Sequence, residues 1–242
     1  MEEKHTFENS RGEEIALPPL SVIAHIYTDF PTKFGIPRQS GLVSSEGVIV
    51  FEKPYRNPDA LRGITDYSHL WLLWLFSEAV RESSDTFTPT VRPPRLGGNV
   101  RMGVFATRSP FRPNPIGLSS VKLERIETGE DGDLRLVVSG ADLMNGTPIL
   151  DVKPYLPYTD SHPDAVGGFA DEKLSYRLTV DFPESLLALL PKEKHEAILE
   201  ILAEDPRPAY QKDPDRVYGF AYAGHEICFS VRDGVLTVLH VE

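Results

Sequence analysis

The chain has 242 residues, 40% apolar and 25% charged, and its 36 acidic against 25 basic side chains give a net charge of -11. That is the composition of a globular protein, and the charge excludes indiscriminate coating of nucleic acid, which depends on neutralising phosphates. A single cysteine, Cys228, excludes an internal disulfide framework; with no apolar stretch of membrane-spanning length and no leader pattern in MEEKHTFENSRGEE, the expected setting is a reducing cytoplasm without membrane contact.

Taken in order, residues 1–14 read as a loose leader. Residues 20–27 (LSVIAHIY) alternate β-branched and aromatic side chains and predict a strand. Residues 28–41 (TDFPTKFGIPRQSG) are rich in turn-formers and carry Pro37, Arg38 and Gln39. A second strand is predicted at 47–51, and Asn57-Pro58 has the form of a cap before a short helix ending at Leu61. Residues 67–76 (YSHLWLLWLF) are too uniformly apolar for a surface element; they read as a buried strand, with helix as the competing reading, ending at the polar pair Ser77 and Glu78.

Further strands are predicted at 100–106, 118–127 and 133–138, the last two joined by a hairpin loop at 128–132. The turn Ser139-Gly140-Ala141-Asp142 follows, then a strand at 149–155 with Asp151 and Lys153 between apolar residues. Many short strands with turn signals between them predict a mainly β fold: an N-terminal antiparallel β-barrel over residues 1–165. Composition shifts near residue 160, where 160–171 (DSHPDAVGGFAD) read as a linker. Helical periodicity at 184–190 and 193–202 and strands at 217–223, 227–231 and 235–241 then give a small α+β C-terminal domain, residues 166–242.

The stretch 92–119 (RPPRLGGNVRMGVFATRSPFRPNPIGLS) stands apart. It holds five arginines (Arg92, Arg95, Arg101, Arg108, Arg112) and five prolines, and no Asp or Glu occurs from Thr86 to Leu123. Guanidinium forks suit carboxylates, phosphates and flat π systems, so this is either a binding wall or a solvated connector. Familiar chemistries are absent elsewhere: there is no G-x-G-x-x-G, Walker or G-x-S-x-G pattern, His225-Glu226 lacks the second histidine of a zincin, and the seven histidines are scattered. No metal site is expected. His69, inside an apolar run, reads as a hydrogen-bonded structural residue. What remains is polar residues at the ends of apolar strands. In a barrel, strand ends at one mouth converge, and a carboxylate, backbone groups and an arginine there would suit an adenosyl ligand with an anionic tail.

KFGIPRQSGL (33–42), YSHLWLLW (67–74), the arginine-proline block (92–119), DLMNGTPILDVKPYLPY (142–158) and DPRPAY (205–210) together resemble the TrmO family. The resemblance runs over about residues 20–232. It implies a β-barrel, usually homodimeric, S-adenosylmethionine-dependent tRNA methyltransferase acting on N6 of N6-threonylcarbamoyladenosine, just 3′ of the anticodon of threonine tRNA. It also implies methyl-donor contacts at Pro37, Arg38, Gln39, Ser77, Glu78, Arg108, Leu118 and the turn Ser139, Gly140, Ala141, Asp142. Asp142 would accept from ribose hydroxyls or the amino group, Arg108 would pair the methionine carboxylate, and Leu118 would face adenine. Arg101, Arg112, Asn114, Asp151 and Lys153 are assigned to the RNA side, with Arg207 and Tyr210 of the C-terminal domain stacking on unpaired bases of the anticodon arm. Asn114-Pro115 is either an amine-holding pair or a proline-set turn. No general base is assigned. Two further readings stay open: a non-catalytic tRNA-binding module, and an adenosyl-ligand enzyme acting on a small molecule.

Overall fold

The computed structural model describes residues 6–16, 18–82, 87–93, 100–173, 176–207 and 213–242. It opens on an exposed two-stranded hairpin, β1 (Thr6–Glu8) and β2 (Glu14–Ala16), where a loose leader is predicted. The Asn9 side chain organises its turn by accepting from the N–H groups of Arg11 and Glu13, the local bonding for which Asn is favoured in turns.

Six strands close into an antiparallel barrel: β3 (Ala24–Thr28), β4 (Glu46–Phe51), β5 (His69–Leu75), β8 (Ile116–Thr128), β9 (Leu134–Ser139) and β10 (Thr147–Pro154), in the spatial order β10-β3-β4-β9-β8-β5. Their inward side chains, among them Ala24, Ile26, Ile49, Leu70, Leu72, Trp74, Val121, Leu136, Val138 and Ile149, form one buried core. The ambiguous run 67–76 is a strand. Leu70, Leu72 and Trp74 point inward while the alternate residues are half-buried; outside, Trp71 donates its indole N–H to Asp160 at 2.8 Å and lies against Tyr155. Cover on both faces explains why its apolar pattern does not alternate. His69 is half-buried, with Nδ1 2.9 Å from the Ser68 hydroxyl. Asn57 caps the short 3-10 helix Pro58–Leu61, accepting from the Asp59 N–H.

Strand order decides where the loops go. Alternate strands of an antiparallel barrel run the same way, so β3, β5 and β9 all end at one mouth. The three connections leaving it are therefore neighbours: residues 29–45, 76–115 and 140–146. The middle one holds helix α1 (Ser77–Glu82) and a ribbon of β6 (Thr90–Val91) with β7 (Met102–Gly103). The strand predicted at 100–106 is corrected here: only Met102 and Gly103 pair, and Val104–Ala106 turns as a 3-10 helix. Val104 alone in that turn is buried, its N–H bonded to the Pro89 carbonyl and its carbonyl accepting from Thr107, so the chain bends to seat one side chain.

After β10 and the short helix α2 (Pro157–Asp160), the C-terminal part forms a four-stranded sheet of β11 (Thr179–Asp181), β14 (Val235–Val241), β13 (His225–Arg232) and β12 (Tyr218–Tyr222). Helices α3 (Glu184–Leu187) and α4 (His195–Ala203) accompany it; α4 buries Ala197, Ile198, Ile201 and Leu202, one face of a helix. Three-residue β11, parallel to β14, is too short to show a sequence period. The core of this part also takes Phe30 and Val43, with Phe34, Ile36 and Leu42 packed against it. All five come from the first mouth connection, so the loop between β3 and β4 is built into the C-terminal sheet.

Candidate methyl-donor and RNA site

Each mouth connection contributes. From the first, Gln39 accepts from the Arg108 guanidinium of the second, and Ser40 Oγ accepts from the Ser120 N–H at 3.2 Å. From the third, the Gly140 carbonyl accepts from the Gly41 N–H at 2.9 Å. Gly140 has φ +84°, and a Cβ there would press on the Gly41 backbone at 3.3 Å, so this close approach requires glycine.

Asp142 sits where the three converge. Trp74 donates its indole N–H to Ser119 Oγ at 2.9 Å, and Ser119 donates onward to Asp142 Oδ1 at 2.5 Å. Trp74 can lie there because its cross-strand partner is Gly117. Burial pushes the Asp142 carboxyl above the usual aspartate range; the Ser119 hydroxyl, its own and the Ser40 backbone N–H, and the Arg108 charge oppose that rise without cancelling it. A carboxyl with a raised folded-state pKa contributes stability that is present below its unfolded pKa and lost as pH rises through the folded value. Asp142→Asn, which keeps one acceptor for Ser119, is therefore expected to melt at a higher temperature than the parent near pH 7, with the gap closing as pH falls. A gap that stays constant with pH would contradict this.

The other assigned residues are distributed as follows. Pro37 is buried and Arg38 half-buried; the Arg38 guanidinium points at the C-terminal part. Ser77 and Glu78 open α1 at the same mouth, and Ser139 ends β9, donating to Glu124. Ala141 is buried in the barrel core. Leu118 lies near the start of β8 and is 52% exposed. Arg101, Arg112 and Asn114 lie on the second connection; Arg112 reaches the Thr107 carbonyl at 3.3 Å. Asp151 and Lys153 pair with each other at 2.6 Å partway along β10, not in a mouth connection. The Arg207 guanidinium is occupied by the Asp205 carboxylate, at 2.8 and 2.9 Å. Tyr210 lies outside the described residues.

Sequence reasoning missed Ser119 and Trp74, whose signal was the alternation that turns both inward on paired strands. It also missed Phe105 and Phe111, 74% and 54% exposed among the arginines. The interleaving of aromatic and basic residues was the available signal for those two. Among the described residues no group of His, Cys, Asp and Glu is arranged to hold a metal ion, and no helix is long and apolar enough to cross a membrane.

The profile of the tRNA-methyltransferase O N-terminal domain matches residues 25–161, and that of the TrmO C-terminal domain matches residues 175–242. The chain belongs to the TrmO family. It is 43% identical over 217 residues to the tRNA (adenine(37)-N6)-methyltransferase of Escherichia coli K12, covering 87% of this chain and 90% of that one. It is 48% identical over 173 residues to the protein of the same name from Eikenella corrodens, covering 71% and 95%. The crystal structure of TrmO from Pseudomonas aeruginosa superposes with a TM-score of 0.74 at 33% identity, over 93% of this chain and 99% of that one. The family is one of tRNA adenine-N6 methyltransferases, and its barrel explains the missing glycine fingerprint of a Rossmann sheet.

Proposed function

We propose that this chain transfers a methyl group from S-adenosylmethionine to N6 of the threonylcarbamoyladenosine beside the anticodon of threonine tRNA, in the cytoplasm. The observation that carries this reading is the convergence of Gln39, Arg108 and Asp142 from three connections on one barrel mouth. The donor set fits the methyl donor: Asp142 offers carboxylate acceptors to ribose hydroxyls or the amino group, Arg108 a guanidinium to the carboxylate, and exposed Leu118 an apolar face to adenine. The Gly140-Ala141 turn, packed on Gly41, would sit alongside Pro37, Arg38, Gln39, Ser77, Glu78 and Ser139 in the donor site. Bound S-adenosylmethionine supplies a methyl group already activated on a sulfonium. The residues then have to align that methyl with the nitrogen lone pair and exclude water.

On the RNA side the reading uses Arg101, Arg112 and Asn114, with the C-terminal domain's Arg207 and Tyr210 supporting the anticodon arm. A local basic face in an acidic protein gives a polyanion one favourable landing site. Exposed Phe105 adds a stacking surface: Phe105→Ala is expected to weaken tRNA binding by ~1–3 kcal/mol, the usual loss of a base-aromatic stack, and unchanged binding in a gel-shift titration would remove that role. Leu118, Phe105 and Phe111 all leave apolar surface at the mouth, which favours a homodimer whose second subunit covers part of it. An active species that sediments as a monomer contradicts the dimer. Calorimetry with S-adenosylmethionine and a salt series with tRNA test the whole reading. Donor binding without RNA binding favours a small-molecule enzyme, and RNA binding without donor binding favours a non-catalytic module.

A further inference from the structure

Arg38 belongs by resemblance to the methyl-donor site, yet its guanidinium turns the other way. Its Nη2 donates to the backbone carbonyl of Asp205 at 2.7 Å, across 167 residues of sequence. Asp205 sits just past the end of α4, its N–H on the Leu202 carbonyl, with φ +55°. Glycine is the usual residue at this left-handed position after a helix, with Asn and Asp the occasional substitutes because most other side chains are strained there. Here an aspartate takes it and is 6% exposed.

The strain is held in place by a clamp. The Asp205 carboxylate accepts from Arg207 Nε at 2.8 Å, Arg207 Nη2 at 2.9 Å, the Arg207 N–H at 3.3 Å and the Tyr176 hydroxyl at 3.0 Å. Burial works against the charge, but Arg207 and Tyr176 outweigh it and hold the carboxyl below its usual range. A strained residue that its surroundings over-determine marks a place where geometry matters.

The loop that Arg38 belongs to is tied at two further points, once to α4 itself and once to the residue that precedes it. The Ser44 N–H and hydroxyl both donate to Glu200 at 2.7 Å, and Lys194 pairs with Asp29 at 2.5 Å. Its other side faces the mouth, through Gln39 to Arg108 and Gly41 to Gly140. The segment 37–41 is thus held from both sides. Arg38, which makes the attachment at Asp205, directly precedes Gln39, and its carbonyl accepts from the Gln39 side-chain amide at 2.6 Å.

We propose that Asp205 is a positioning residue for the methyl-donor site: the left-handed turn clamped by Arg207 and Tyr176 aims a carbonyl at Arg38, and Arg38 fixes the loop that carries Gln39. This rests on the proposed function. It makes the Asp205-Pro206-Arg207 turn part of the donor site's frame, which Arg207 reaches through Asp205.

The test compares Asp205→Ala, Asp205→Asn and Arg207→Lys in the full chain. Asparagine tolerates the left-handed turn and keeps one acceptor, whereas alanine loses both. S-adenosylhomocysteine binding without RNA is expected to weaken about tenfold in Asp205→Ala, as for one lost charge-assisted hydrogen bond, and by only about twofold in Asp205→Asn and Arg207→Lys. The KM for the donor should rise while kcat at saturating donor stays near the parent's. Amide exchange should quicken across 36–41 but not in β5 or β8, which also reports whether the barrel remains folded. Unchanged exchange at 36–41 in Asp205→Ala, or loss of tRNA affinity with full homocysteine-analogue affinity, would overturn the proposal. A parent protein that does not bind S-adenosylhomocysteine sinks the proposed function instead, and the exchange result still decides the latch. Should alanine prevent folding, the two conservative variants decide by the same readouts.

Discussion

Gly117→Ala is expected to destabilise the chain by about 3 kcal/mol or more, the sum of overpacking a filled core and disturbing a buried hydrogen-bond chain. A Cβ at this position would land inside the indole of Trp74, its cross-strand partner on β5. Trp74 has no easy way to yield, since its N–H is fixed on Ser119, which in turn holds Asp142. The damage should therefore reach the site as well as the fold. Urea unfolding measures the first and calorimetry with the methyl donor the second. A loss below about 1 kcal/mol, the level of a tolerated volume-conserving swap, would mean that the ring relaxes freely and that the Trp74-Ser119-Asp142 chain is not rigid.

Arg108→Ala is expected to weaken S-adenosylmethionine binding by about 1.5–3 kcal/mol, roughly ten- to a hundredfold, the range for a hydrogen bond to a charged group. Two effects add. On the proposed function the carboxylate of the ligand loses its guanidinium, and Gln39 loses the partner that ties the first mouth connection to the second. Removing the Arg108 charge also takes away one of the influences that hold the Asp142 carboxyl down, so its pKa should rise further. Full donor affinity in this variant would remove Arg108 from the site.

Much of the barrel was legible because its strands announce themselves by alternation and by the turns between them. The run at 67–76 was the hard case, and what resolves it is tertiary: Asp160 and Tyr155 cover the outer face of Trp71, information that no local window contains. The arginine-proline stretch could be picked out from charge alone, since an acid-free run is rare in an acidic chain. Its shape could not, because the bend at Val104 answers to a carbonyl at Pro89. Least legible was the joining of the two parts. Phe30 and Val43 look like ordinary loop residues in sequence, yet they complete a core whose other members begin at Leu178. Likewise nothing in KFGIPRQSGL says that Arg38 will face a carbonyl 167 residues away. The pairing of Asp151 with Lys153 along one strand is also a side-chain contact that the sequence does not announce.

The central claim is that this barrel methylates an adenosine next to an anticodon. Incubating the full chain with S-adenosylmethionine carrying a labelled methyl group and with threonine tRNA, then digesting the tRNA to nucleosides for mass analysis, tests it directly. The account predicts the label in N6-methylated threonylcarbamoyladenosine, and its absence when Arg108→Ala is assayed at limiting donor. Label on another nucleoside, or none in tRNA from a protein that binds the donor, would contradict it.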